Sequence, residues 1–105
     1  MAQAITAAEF DSVIAGSDKP VLVDFWASWC GPCRALGPVV DQIAQEMADR
    51  VTVYKCNVDE QAELATRFGI VSIPTLILFK DGHPAHTMVG NMPKPVLVGE
   101  LEANL

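Results

Sequence analysis

Val21-Leu22-Val23-Asp24-Phe25-Trp26-Ala27 is an apolar run without polar alternation, and nothing else in the chain constrains its fold as strongly. A strand of this kind is covered on both faces, as an inner strand is when its sheet lies between helices. The next segment has a different period. From Pro32 to about Asp49, Leu36, Val39, Val40, Ile43, Ala44 and Met47 fall on one helical face, while Asp41, Gln45, Glu46 and Asp49 fall elsewhere. Pro38 lies inside this helix without an N–H for the carbonyl four residues back, so a kink is expected there. A doubly covered strand feeding an amphipathic helix predicts an α/β fold.

The flanking segments extend the alternation. Thr6-Ala7-Ala8-Glu9 has capping-box spacing and opens a short helix through Phe10, Val13 and Ile14 to about Gly16, with room for a short strand before it. Val51 to Asn57 is rich in β-branched residues and reads as a strand; Asp59 then caps a helix carrying Leu64, Ala65 and Phe68 to Gly69. Thr75–Lys80 and His83–Val89 read as strands joined by Asp81-Gly82, a type I′ hairpin pair, and Pro84 confines the second to a sheet edge. A last helix runs from about Pro93 to Asn104. The expected architecture is a mixed sheet between two helix layers in a single domain, residues 1–105.

Composition narrows the function. At 105 residues, half of them apolar, the chain suffices for one core. Seven Lys and Arg against thirteen Asp and Glu leave a net charge of −6, which repels phosphate backbones, so nucleic acid is not an expected partner. No stretch approaches the roughly 18 apolar residues of a membrane span. The opening Met1-Ala2-Gln3-Ala4-Ile5-Thr6 lacks the cationic start and apolar run of a signal peptide, so the expected setting is cytoplasmic. Nothing in the sequence calls for more than a monomer.

Three cysteines are too few for a multi-bridge scaffold, and two of them bracket Gly31-Pro32. Cys30 follows the apolar strand and lies just before the helix, which places its sulfur among the unpaired N–H groups at the positive end, where a thiolate is favoured. Cys33 follows about one turn later, inside the helix and shielded, and suits a resolving thiol. The inferred chemistry is attack by Cys30 on a substrate disulfide, then attack by Cys33 on the mixed disulfide. Three other readings compete. Structural zinc needs about four ligands, and only Cys56, His83 and His86 remain, at no familiar spacing. Haem attachment needs histidine where Arg34 stands. An inert disulfide fits poorly with the missing export signal.

Several other residues invite a role. Asp24 puts a carboxylate into the apolar strand and should hold its proton tightly if buried, unless it lies at a frayed strand edge. Trp29 should line the surface and shield the disulfide, whereas Trp26 should pack in the core. Cys56 should be a small buried hydrophobe, and His83 and His86, without carboxylate or thiol partners at ligand spacing, should be solvated.

Trp29-Cys30-Gly31-Pro32-Cys33, with Val23-Asp24-Phe25-Trp26-Ala27 before it and Ile73-Pro74-Thr75 after it, resembles the thioredoxin family over the length of the chain. The resemblance implies that family's fold, a central mixed five-stranded sheet flanked by four helices. It implies a thiol-disulfide oxidoreductase that reduces protein disulfides, binds no cofactor or metal, and is recharged by a flavin-containing thioredoxin reductase drawing on NADPH. It makes Asp24 the buried proton acceptor for Cys33 and pairs Lys55 with it, where the residues alone also allow Lys55 to reach solvent. It makes Pro74 cis, beside the cysteines, with the Ile73 backbone and Gly90 open to an extended substrate segment; an ordinary loop proline and a simple strand end are the plainer alternatives. Arg34, Val71-Ser72 and Asn91-Met92-Pro93 depart from the family's usual residues and border that groove. Two rival functions stay open: a disulfide oxidase or isomerase, for which the family tends to place histidine between the cysteines, and a non-catalytic binding module.

Overall fold

Residues 2–105 are described by a computed structural model. The apolar run forms β2 (Val21–Trp26) at the centre of a five-stranded sheet, flanked in parallel by β3 (Thr52–Asn57) and in antiparallel by β4 (Thr75–Lys80). β1 (Gln3–Ala4) extends the sheet beyond β3, and β5 (His83–Val89) extends it beyond β4. The helices are α1 (Ala7–Gly16), α2 (Gly31–Glu46), α3 (Ala62–Arg67) and α4 (Lys94–Asn104). The sheet is therefore mixed, with the strand and helix numbers expected.

Period-two alternation divides the core between the two faces of the sheet. Val21, Val23, Phe25, Cys56, Ile77 and Phe79 pack with Phe10 and Ile14 of α1 and Leu64 of α3. Leu22, Val53, Leu76, Leu78 and Met88 pack with Leu36, Val40, Ile43 of α2 and Leu97, Leu101 of α4. The local signals behave as their chemistry dictates. The Glu9 carboxylate accepts from the Thr6 N–H at 3.1 Å, closing the start of α1. Asp81 and Gly82 both have positive φ, 53° and 81°, as a type I′ turn requires. Pro84 lies on edge strand β5, where its missing N–H deprives no neighbour, and the register slips there between Leu78 and Phe79. Pro38 lies within α2.

Two expectations need correction. α3 begins after Gln61, and Asp59 does not cap it. The Asn57 side chain takes the Asp59 and Glu60 N–H groups at 2.9 and 3.4 Å, forming a local turn that delays the helix. His86 is half-buried rather than solvated, because α4 brings Glu100 within 3.5 Å of its Nε2; His83 is exposed.

Candidate active site

The turn from β2 into α2 creates the site. Cys30 is the N-cap of α2, and its sulfur accepts the Cys33 N–H at 3.2 Å, one of the donors that a helix start leaves unpaired. The cysteines are disulfide-bonded across a Cα separation of 5.2 Å. They form a small cluster with Ala27, against which Trp26, Val58 and Ile73 pack. Their expected contrast in exposure is slight in this oxidised state, 5% for Cys30 and 3% for Cys33.

The Ile73–Pro74 bond is cis, as the family resemblance implies. The Ile73 carbonyl oxygen lies 3.8 Å from Cys30 Sγ, and the Gly90 N–H donates to the Pro74 carbonyl at 2.8 Å. The structure thus brings Cys30, Ile73, Pro74 and Gly90 together, with Cys30 and Pro74 buried and Ile73 and Gly90 half-buried. Gly90 has φ 93°, a conformation that a side chain disfavours, and the space beside its Cα is open. Trp29, 68% exposed, flanks the pair, and its Nε1 donates to Asp59 Oδ2 at 2.8 Å. Asp59, expected at the start of the helix, is instead the tryptophan's partner, a contact that the three-dimensional fold creates.

Asp24 is 1% exposed, so the frayed-edge alternative does not hold. Its Oδ1 has no hydrogen-bond partner among the described residues. Burial pushes its carboxyl from an ordinary 3.8 up to about 7, against an opposing pull from Lys55, with a smaller upward push from Asp41 of α2. Lys55 is paired with Asp24 in the β2–β3 register, but no ion pair joins them among the described residues. Its Nζ lies instead over the Trp26 ring, 4.8 Å from the centroid. Trp26 is half-buried: it packs against the Ala27, Cys30 and Cys33 cluster and leaves a ring face to Lys55. Cys56 is fully buried, and its thiol is pushed up to about 11 by burial and then by Asp24. Among the described residues, no three His, Cys, Asp or Glu side chains cluster as metal ligands, and no helix is long and apolar enough to cross a membrane.

Comparison with known proteins agrees with this geometry. The Thioredoxin family model matches residues 1–103. The chain belongs to the thioredoxin family. It is 56% identical to the thioredoxin of Alicyclobacillus acidocaldarius over 97 residues, covering 92% of this chain and 91% of that protein. It is 51% identical to thioredoxin 1 of Synechococcus elongatus over 105 residues, covering 100% and 98%. A thioredoxin of Mycobacterium tuberculosis is 53% identical over 97 residues, covering 92% and 84%. Like the rest of its family, the chain is an oxidoreductase that works by dithiol-disulfide exchange, and the Cys30–Cys33 pair is its active centre.

Proposed function

We propose that the chain runs this exchange as a reductant of protein disulfides. The observation that carries the reading is the placement of Cys30 at the start of α2 with the Cys33 N–H on its sulfur, an arrangement that favours a thiolate and so the dithiol state. The Cys30 thiolate attacks a substrate disulfide; one substrate thiolate leaves and a mixed disulfide forms. Cys33 gives its proton to the Asp24 carboxylate and attacks Cys30 Sγ, expelling the second substrate thiolate and closing the Cys30–Cys33 bond. Two electrons have passed to the substrate. Asp24, with a pKa of about 7, is matched to accepting a proton near neutrality, and Lys55 moderates its charge.

In this reading an extended substrate segment lies against Ile73, Pro74 and Gly90, beside the exposed Trp29, while Gly31 and Pro32 shape the turn. The oxidised chain is recharged by a flavin-containing thioredoxin reductase drawing on NADPH. It works as one domain, a monomer, in the cytoplasm. The deciding experiment is the reduction potential of the Cys30/Cys33 pair against a dithiothreitol or glutathione buffer, where about 30 mV is tenfold for two electrons. We expect a value well below the glutathione couple; a value well above it would make the protein an oxidase or isomerase. Retention of cellular function by a Cys30→Ser, Cys33→Ser protein would instead mark a binding module.

A further inference from the structure

The Lys55 ammonium is placed unusually for a lysine directly opposite a buried carboxyl. Lys55 and Asp24 are neighbours in register on β3 and β2, so their side chains rise from the same face of the sheet. Trp26, two residues beyond Asp24, rises from that face as well. The ammonium lies over the Trp26 ring and not on the carboxylate. On its other side is α2 at Gly37, where an added Cβ would stand 3.9 Å from Lys55 Nζ. Trp26 and Lys55 also line a shallow cavity of about 160 Å³ with Asn57, Glu60 and Gln61.

We propose that Trp26 is a positioning residue whose ring face competes with the Asp24 carboxylate for the Lys55 ammonium. An aromatic face attracts a cation through its quadrupole, more so where water is partly excluded. While Asp24 is protonated, Lys55 rests on the ring. When Asp24 ionises, a direct ion pair would draw the ammonium off the ring, so the contact stabilises the state with a neutral carboxyl. The ring thereby keeps Asp24 basic enough to accept a proton near neutrality. Besides Lys55, the Asp41 carboxylate of α2 acts on the same carboxyl; the nearby Cys56 thiol of β3, pushed up to about 11, is neutral near pH 7, and Glu60 lines the same cavity as Lys55. Cys30 and Cys33 do not titrate in the oxidised protein.

The test is a carbon-13 NMR titration of the Asp24 carboxyl in the oxidised protein. In Trp26→Leu the midpoint should fall by roughly half to one and a half pH units, the size of a cation–π contact. Trp26→Phe, which keeps a weaker ring, should fall by less; if the leucine variant does not fold, this one is read alone. In a Lys55→Met background, neither change at Trp26 should move the midpoint further. A midpoint that stays or rises in Trp26→Leu and Trp26→Phe overturns the proposal. So does an equal fall in the Lys55→Met background, which would mean that the ring acts by excluding water from Asp24. The titration does not require Asp24 to act in turnover. If Asp24→Asn left the exchange rate unchanged, the proton-acceptor reading would fall while the coupling of ring and lysine stood. If both hold, the pH profile of disulfide reduction should move to lower pH in Trp26→Leu by the same interval as the carboxyl.

Discussion

The face of the sheet under α1 and α3 and the face under α2 and α4 are built from the same strands, yet they differ in kind. The first is filled by Phe10, Phe25, Phe68 and Phe79 among aliphatics, with ring centroids 5.3 to 6.1 Å apart; among the described residues its fully buried titratable side chain is Cys56, with Tyr54 packed at its margin. The second carries aliphatic packing from Leu22 to Leu101 and, at its active-site end, Asp24, Lys55 and Trp26. A carboxyl with no partner for one oxygen among the described residues is tolerated there because burial raises its pKa to about 7, which leaves it largely neutral below that pH. One face is apolar throughout its core, and the other carries the cost of a buried ionisable group.

The sharpest break between the faces lies in their cysteines. Cys30→Ser should reduce turnover of a protein disulfide by about three orders of magnitude or more, because no nucleophile remains. Cys56→Ala should leave it unchanged, since a buried thiol pushed up to about 11 does not ionise at neutral pH. A reduction assay with both variants reads this directly, and an active Cys30→Ser protein would relocate the chemistry.

Stability should move in opposite directions on the two faces. Phe10→Ala removes a ring packed on Phe68 and Phe79 and should lower unfolding free energy by about 4 kcal/mol, with exchange per folded molecule intact. Asp24→Asn should raise it by roughly 3 to 4 kcal/mol above about pH 8. The folded-state pKa lies near 7 and above its unfolded value, so the unfolded chain sheds its proton first as pH rises. The stabilising effect of a protonated Asp24 is complete below about pH 4 and lost progressively up to about pH 7, at about 1.4 kcal/mol per unit. Urea unfolding of both proteins at acid and alkaline pH measures the sign. The gain from Asp24→Asn should vanish near pH 3, and the same variant should reduce disulfides more slowly.

How much of this was legible in the sequence follows the range of the interactions. The β2 run, the apolar face of α2, the Asp81-Gly82 turn and the edge placement of Pro84 rest on neighbours a few residues away, and all can be read along the chain. The nucleophile and its partner are legible for the same reason: a three-residue spacing at a strand-to-helix junction fixes both. What escaped depends on partners far along the chain. Asp59 bonds Trp29 thirty residues away, His86 meets Glu100 from α4, and Trp26 is claimed by Lys55, which no periodicity of β2 alone could show. The strand register that pairs Asp24 with Lys55 supplies the missing information, since alternation then places Trp26 beside them.

The smallest expected effect sharpens the contrast most finely. Gly37 is buried in the middle of α2, where glycine is unfavourable by roughly 1 kcal/mol against alanine because the unfolded chain is freer. A methyl there would meet Lys55 Nζ at 3.9 Å, an ordinary contact. Because Gly37 directly precedes Pro38, whose ring crowds a Cβ on the residue before it in helical backbone, the gain from alanine is offset, and Gly37→Ala should change stability by less than about 1 kcal/mol, seen as a small move of the urea midpoint at constant slope. A larger side chain such as valine should push the ammonium aside and shift the Asp24 titration as well. If valine moves the Asp24 titration, the room beside Lys55 is itself needed and the glycine belongs to the same polar arrangement as Asp24 and Trp26; if the titration stays while stability falls, the cost lies in crowding against Pro38. The α1 and α3 face offers a different arrangement: its cation over a ring, Arg67 across Phe10 and Phe68, is half-exposed and already paired with Asp11, so no buried carboxyl competes for it.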